Sequence, residues 1–192
     1  MKTYKKGITA FVPAYNEEKR IGHTLRTLFW CDEIIVVDRY SQDDTVKIAK
    51  QYPNVRVIEL ENTKECSTLD WDVFMENCQT EYMELNTCSC LVHPAVGLKI
   101  KELIHNPEFN YDAIYIPYKG YMLGINEPWS PLYAKIALGP VKTSCVKINK
   151  GEIHSALNPD IKSKYTIKMD NDNEAFIRLS YESAEGVIER YR

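Results

Sequence analysis

No fully apolar run in the sequence is longer than residues 34–37, whereas a helix that crosses a bilayer needs roughly 20 such residues. A membrane span is therefore not expected. The opening Lys2, Lys5 and Lys6 precede an apolar stretch at 8–12, but that stretch meets Pro13, Asn16 and two glutamates at once, which is not the pattern of a secretion signal. Charge of one sign is also missing: a formal net charge of −3 leaves no basic footprint for nucleic acid or anionic lipid. Near the first apolar segment there is no glycine-rich loop followed by a basic residue, the usual cradle for a phosphate. Internal repeats and low-complexity linkers are absent too. The six cysteines, Cys31, Cys66, Cys78, Cys88, Cys90 and Cys145, follow no regular spacing. In a chain large enough to fold without staples they read as free thiols in a reducing, cytoplasmic compartment.

What is present is an ordinary globular composition, 44% hydrophobic and 27% charged over 192 residues, enough for one domain with a full core. Apolar runs alternate with helical patterns from the start, the signature of an α/β domain with a largely parallel sheet. Residues 7–12 read as a first strand. Ile21, Leu25 and Leu28 then recur on one face of a helix over 17–30. Residues 33–38 form a β-branched run of the kind buried on both faces, and Ser41 with Asp44 resembles a helix-capping pair ahead of a helix over 45–52. Further strands are expected at 55–60 and 82–85, with a short helix at 70–78 between them. Beyond His93 and Pro94 come a helix at 96–106, a strand at 113–117, loops over 119–140, a strand at 145–148, a polar segment at 158–174 and a final helix from Ala184. In open α/β sheets ligands bind beyond the carboxyl ends of the strands, so residues 13–18, 38–44 and 86–93 are where chemistry is expected.

The segment FVPAYNEEKRIGHTL, followed after one helix by WCDEIIVVDRYSQDDTVKIAKQY, resembles the opening of a family 2 glycosyltransferase. In that family a Pro-x-Tyr-Asn-Glu turn precedes a strand ending in Val-Asp and a Ser-x-Asp-x-Thr turn. DAIYIPYKGYMLG, GEIHSAL and AFIRLSYES follow in the order of matching segments in the lipopolysaccharide-core type. The resemblance implies a single Rossmann-like three-layer α/β/α domain with a mostly parallel central sheet, the A-type glycosyltransferase fold. Residues 1–94 would be its nucleotide-sugar half and 95–192 its acceptor half, and relatives of this kind run on past the position of Arg192. It also implies a nucleoside diphosphate-sugar partner, most simply a UDP-sugar, and a sugar-containing acceptor. The residues agree with it: backbone groups at Pro13 and Ala14 can face a base edge, Tyr15 can cover a ring, Glu17 can accept from ribose hydroxyls, and Asp38 can accept a nucleobase N–H. Taken singly, Tyr15 and Glu17 read as a packing aromatic and a helix-dipole carboxylate, and it is the pairing of the two motifs that favours the ligand roles.

The family's catalytic pattern is not fully kept. Where an Asp-x-Asp would hold Mn²⁺ or Mg²⁺ against the diphosphate stands Asn86-Thr87-Cys88, which lacks the charged oxygen pair a hard cation takes. Asp70-Trp71-Asp72 has the right letters but falls at the start of a helix and reads as capping. Ser155 follows His154 where relatives tend to have Glu, leaving His154, or else Glu152, as the candidate general base. Arg178 replaces a His that would be a metal ligand. Either this arginine supplies the diphosphate with the positive charge a metal would have given, or the site has degenerated.

Cys88, Cys90 and His93 have ligand chemistry suited to zinc but no evident fourth ligand, so structural thiols are the expectation. His23 reads as a surface or packing residue and Lys135, Lys142, Lys147 and Lys150 as a solvated basic edge, with one near the diphosphate as the sharper alternative. The aromatic stretch 118–129 reads as a packed loop or as a platform for an acceptor sugar. Three functions remain open on the sequence: an inverting sugar transferase; a catalytically inactive relative that only binds a nucleotide-sugar or a protein; and, less favoured for want of a phosphate loop, a nucleotidyltransferase.

Overall fold

A computed structural model describes residues 3–61, 71–128, 134–148 and 157–180. Its elements in chain order are β1 (Lys5–Ala14), α1 (Ile21–Thr27), β2 (Glu33–Asp38), α2 (Thr45–Ala49), β3 (Val55–Glu59), α3 (Trp71–Asn77), β4 (Thr80–Leu85), β5 (Cys90–Val92), α4 (Pro94–His105), β6 (Ala113–Met122), β7 (Ile136–Lys142), β8 (Val146–Ile148), β9 (Leu157–Pro159), β10 (Lys164–Thr166) and β11 (Phe176–Ser180). Strands β3, β2, β1 and β4 lie side by side, all parallel. The sheet then continues through β7, antiparallel to β4 and β6, to β6, β11 and β5, with β10 beside β6.

The run Glu33–Asp38 shows why the sheet is central. Ile34 and Val36 enter one core with Ile21 and Leu25 of α1 and Val96 and Ile100 of α4, while Ile35 and Val37 enter a second core with Phe74 of α3. Each such side chain, fully buried, contributes on the order of 1.5–3 kcal/mol. Phe11 of β1 stacks on Phe74 with ring centroids 4.6 Å apart, closing the second layer. Helices thus cover both faces, and the fold is the three-layer α/β/α arrangement that the alternation of elements implies. Helix α4 can lie close because its Gly97 carries no side chain: a Cβ there would sit 2.2 Å from Cδ1 of Trp30.

Several expected elements change in extent or kind. The helix expected over 17–30 is regular only at Ile21–Thr27, because Glu17 to Arg20 form turns. The loops expected over 119–140 are partly strand, since β6 runs on to Met122 and β7 begins at Ile136. Gly139 and Pro140 disguised β7. They sit where its register with β6 shifts, an irregularity that tolerates residues which would break a regular ladder. The polar segment 158–174 contains β10, and β11, carried by AFIRLS, inserts between β6 and β5. The final helix expected from Ala184 lies outside the described residues.

Candidate functional site

Parallel pairing in register, Ala14 beside Asp38, brings the carboxyl ends of β1 and β2 together, and the turns beyond them are tied by hydrogen bonds. Arg39 N–H donates to the Ala14 carbonyl at 3.0 Å. Asn16 N–H donates to Ser41 Oγ at 2.8 Å, and Gln42 N–H returns a bond to Asn16 Oδ1 at 2.8 Å. Glu17 N–H donates to Thr45 Oγ1 at 2.7 Å, Glu18 N–H to Asp43 Oδ2 at 3.1 Å, and Asp44 N–H to Glu18 Oε2 at 3.2 Å. Burial alone would raise the Asp43 carboxyl, yet the bonds it accepts from Thr45 and Glu18 hold it below its ordinary value.

Asp38 is fully buried. Its carboxylate accepts Ser41 N–H at Oδ2 (2.8 Å) and the Ser41 hydroxyl at Oδ1 (2.5 Å). Ser41 therefore does not cap α2 with Asp44 as its spacing suggested. Asp44 makes no side-chain cap, and Asp43 takes the Thr45 N–H and hydroxyl instead. Glu17 is also engaged: Arg20 forks onto its two oxygens at 2.7 and 2.8 Å, and the carboxylate is mostly buried. Tyr15, by contrast, is 49% exposed.

The turn after β4 completes the cluster. Asn86 N–H donates to the Phe11 carbonyl at 2.9 Å and Cys88 Sγ lies 3.9 Å from the Pro13 carbonyl, so Asn86, Cys88, Pro13 and Ala14 share one end of the sheet. Asn86 Nδ2 is buried with no hydrogen-bond partner among the described residues. Burial pushes the Cys88 thiol far above its ordinary value; Glu17 adds to the shift, Arg20 opposes it, and Cys90 and Asp38 add the rest. Thiols are soft ligands, whereas hard cations take charged oxygen. With an amide, a hydroxyl and a thiol, Asn86-Thr87-Cys88 does not fit a hard divalent ion.

Arg178 joins this end through β11, paired with Cys90 of β5, while Leu179 N–H donates to the Ser89 carbonyl at 2.8 Å. Its guanidinium is exposed and lies near the Tyr118 phenol. Burial raises that phenol, which Arg178 counteracts and Cys90 reinforces. The alternative of Cys88, Cys90 and His93 as soft-metal ligands finds no support in the geometry of the described residues. His93 instead caps α4, its Nδ1 accepting Ala95 N–H at 3.3 Å. Among the described residues, no group of three or more His, Cys, Asp or Glu is placed to hold a metal ion. Cys31, Cys78, Cys88, Cys90 and Cys145 are free thiols.

Of the remaining sequence candidates, His23 is exposed, the surface one of its two readings. Lys142 departs from the basic edge: it is only 14% exposed, bonded to Asn110 and paired with Asp112 at 4.0 Å, at the end of β4 away from the site. Lys147 pairs with Asp160. His154, Glu152, Lys150 and Asp70 lie outside the described residues. The sequence reading gave no individual role to Arg20, Asn16, Thr45 or Tyr118, although Asn16 and Thr45 stand within the two quoted motifs and Tyr118 opens the aromatic stretch. Arg20, three residues after Glu17 on a nascent helix, left a signal in the spacing.

Comparison with known proteins bears on the same segment. Residues 9–68 match the Glycosyl transferase family 2 model. The 4,4'-diaponeurosporenoate glycosyltransferase of Staphylococcus aureus is 40% identical over 50 residues, covering 24% of this chain and 13% of that protein. S. aureus TarS 1–349, solved with UDP, superposes with a TM-score of 0.66 at 17% identity over 95% of this chain and 62% of that one. At that identity the likeness shows the fold, which is the A-type glycosyltransferase fold. The 4-diphosphocytidyl-2C-methyl-D-erythritol synthase of Anaerococcus prevotii matches with a TM-score of 0.51 at 15% identity, over 96% and 94% of the two chains. The fold is thus shared with a protein named for different chemistry, and the choice between chemistries rests on the site. No helix among the described residues is long and apolar enough to cross a membrane.

Proposed function

We propose that this chain binds a nucleoside diphosphate-sugar, a UDP-sugar, across the carboxyl ends of β1, β2 and β4, and transfers the sugar to an acceptor hydroxyl with inversion. The observation that carries the reading is the pair of interlocked turns, residues 13–18 and 38–45, inside the segment that matches the glycosyltransferase family. Pro13, Ala14 and Tyr15 border the base, and Glu17 and Asp38 hold the turns in shape from within. A ligand-binding surface at adjacent strand ends is also where open α/β sheets place their ligands. TarS, which shares the fold, was solved with UDP and with UDP-GlcNAc.

Transfer requires in-line displacement at the anomeric carbon through an oxocarbenium-like state, a base for the acceptor proton, and positive charge for the departing diphosphate. The Asn86-Thr87-Cys88 turn does not supply a metal site, so the charge falls to Arg178, which stands beside Cys90 on β11 and is exposed to solvent. His154 is the proposed base and needs no metal for that role. Asn86 and Cys88 shape the floor under the diphosphate without charge.

A second reading is favoured by one observation: the Asp38 and Glu17 carboxylates are both already satisfied within the protein. On that reading the chain keeps the fold as an inactive binding module. Titration calorimetry with UDP, UDP-glucose and GDP, with and without Mn²⁺, followed by assay of donor-dependent UDP release, separates the two. Metal-indifferent UDP binding with release supports the transferase, and binding without release the module. No binding removes the donor-site proposal, and pyrophosphate release from a nucleoside triphosphate would point to nucleotidyl transfer.

A further inference from the structure

Two of the chain's exposed large side chains stand on the facing turns of the donor cluster: Tyr15, 49% exposed, and Tyr40, 52% exposed. Their backbones run side by side, because Ala14 is in register with Asp38, Arg39 N–H donates to the Ala14 carbonyl, and Asn16 N–H donates to Ser41 Oγ. Neither ring has a hydrogen-bond or ring partner among the described residues. Tyr40 also adopts φ of 55°, in the left-handed region that glycine enters freely and a bulky aromatic residue rarely does. The conformation is held by its neighbours: Gln42 Nε2 donates to the Tyr40 carbonyl at 2.8 Å, and Asp38 fixes Ser41 on the other side. Strain of this kind is found where function needs the residue.

The buried acceptor that would read a base edge is not free, since both oxygens of Asp38 are taken by Ser41. What the two turns offer a planar ligand is aromatic surface. We infer that Tyr40 is a further nucleobase-binding residue of the donor site, supplying a second aromatic face for the base of a nucleoside diphosphate beside that of Tyr15. This inference rests on the donor-binding reading above and deepens it. Recognition by the faces of a base tolerates any base, because every base has a π-face, whereas recognition by an edge discriminates. The site therefore accepts both uridine and guanosine diphosphates.

The test is calorimetric titration of the full chain with UDP and GDP, on the wild type and on Tyr40→Ala, Tyr40→Phe and Tyr40→Gly, with thermal unfolding of each variant. The wild type binds the two nucleotides within about tenfold of each other. Tyr40→Ala weakens both by about tenfold, and Tyr40→Phe keeps both. Tyr40→Gly relieves the left-handed backbone and raises Tm while weakening both nucleotides as the Ala variant does, a divergence that a residue of purely structural importance does not give. A wild type that binds but is matched by Tyr40→Ala within twofold overturns this inference and leaves the donor site standing. Preference for one nucleotide by much more than tenfold overturns it as well. A wild type that binds neither removes the donor reading, and this inference with it.

Discussion

Asp38 and Ser41 form a closed pair, the buried carboxylate accepting both the backbone N–H and the hydroxyl of the serine three residues on. The same hydroxyl oxygen accepts Asn16 N–H from the neighbouring turn, so one side chain connects the ends of β1 and β2. Ser41→Ala removes the hydroxyl and leaves a buried carboxylate oxygen without its donor. A buried acceptor that loses its partner costs about 1–3 kcal/mol. Urea unfolding of Ser41→Ala is expected to show a loss in that range with an unchanged m-value, and UDP affinity is expected to fall as the turns loosen. Stability equal to that of wild type would mean that the pair does not hold the turns.

Arg178 and the Tyr118 phenol make a second test of the site. If the guanidinium meets the diphosphate, Arg178→Ala weakens UDP by about tenfold or more and leaves uridine, which has no phosphates, unchanged; a charge-assisted bond to an anion is typically worth about 1.5–3 kcal/mol. Arg178→Lys recovers only part of the loss, because an ammonium lacks the planar fork. Equal effects on UDP and uridine would place Arg178 outside the phosphate subsite.

The strand ends that carry the site were legible because their signals are local. Alternation of apolar runs and helices gave the layer order, and the consecutive turns after β1 and β2 marked where those strands stop. The run Glu33–Asp38 came out to the residue, since a β-branched stretch buried on both faces leaves little choice of register. Sequence patterning failed where tertiary pairing decides. β7 hides a glycine and a proline in an irregular ladder, and β11 sits between β6 and β5 by contacts distant in the chain. The engagement of Asp38 by Ser41 was beyond reach for another reason, and the spacing of Glu17 and Arg20 only hinted at theirs. A motif states which residue types recur, while the side chain's rotamer decides whether an oxygen faces a ligand or a neighbour.

Gly97 allows α4 to approach Trp30, and its substitution should be felt in the core. In Gly97→Ala the added methyl meets the indole at 2.2 Å, and the atom in the way belongs to a large, fully buried ring that cannot swing aside. Overpacking of this kind costs about 1–3 kcal/mol despite the better helix propensity of alanine. Thermal unfolding is expected to show Tm lowered by several degrees. Leu98→Ala, at the neighbouring exposed position, provides the comparison and should change little. An unchanged Tm in Gly97→Ala would mean that the helix shifts to make room at no cost.

Glu84 is a carboxyl placed where ionisation is penalised. It lies on β4, is 4% exposed, and its Oε2 has no hydrogen-bond partner among the described residues. Burial raises it well above the ordinary carboxylate value. Its ionisation in turn would raise the buried Cys31 thiol, which Asp32 also raises and Lys101 lowers, after burial as the main cause. For a group raised on folding, the stability contribution is whole below the unfolded pKa, near 4.3, where glutamate is neutral in both states. As pH rises past that value the unfolded chain ionises first, and stability is lost progressively until the folded carboxyl ionises too. Glu84→Gln removes this linkage while keeping the shape. Wild type and Glu84→Gln are therefore expected to match near pH 4 and to diverge above it, the wild type losing up to about 1.4 kcal/mol per pH unit relative to the variant. Guanidinium unfolding at pH 4, 5.5 and 7 measures the divergence directly. Parallel profiles at all three values would show that Glu84 ionises in the folded protein as easily as in the unfolded chain, with a partner that compensates its burial.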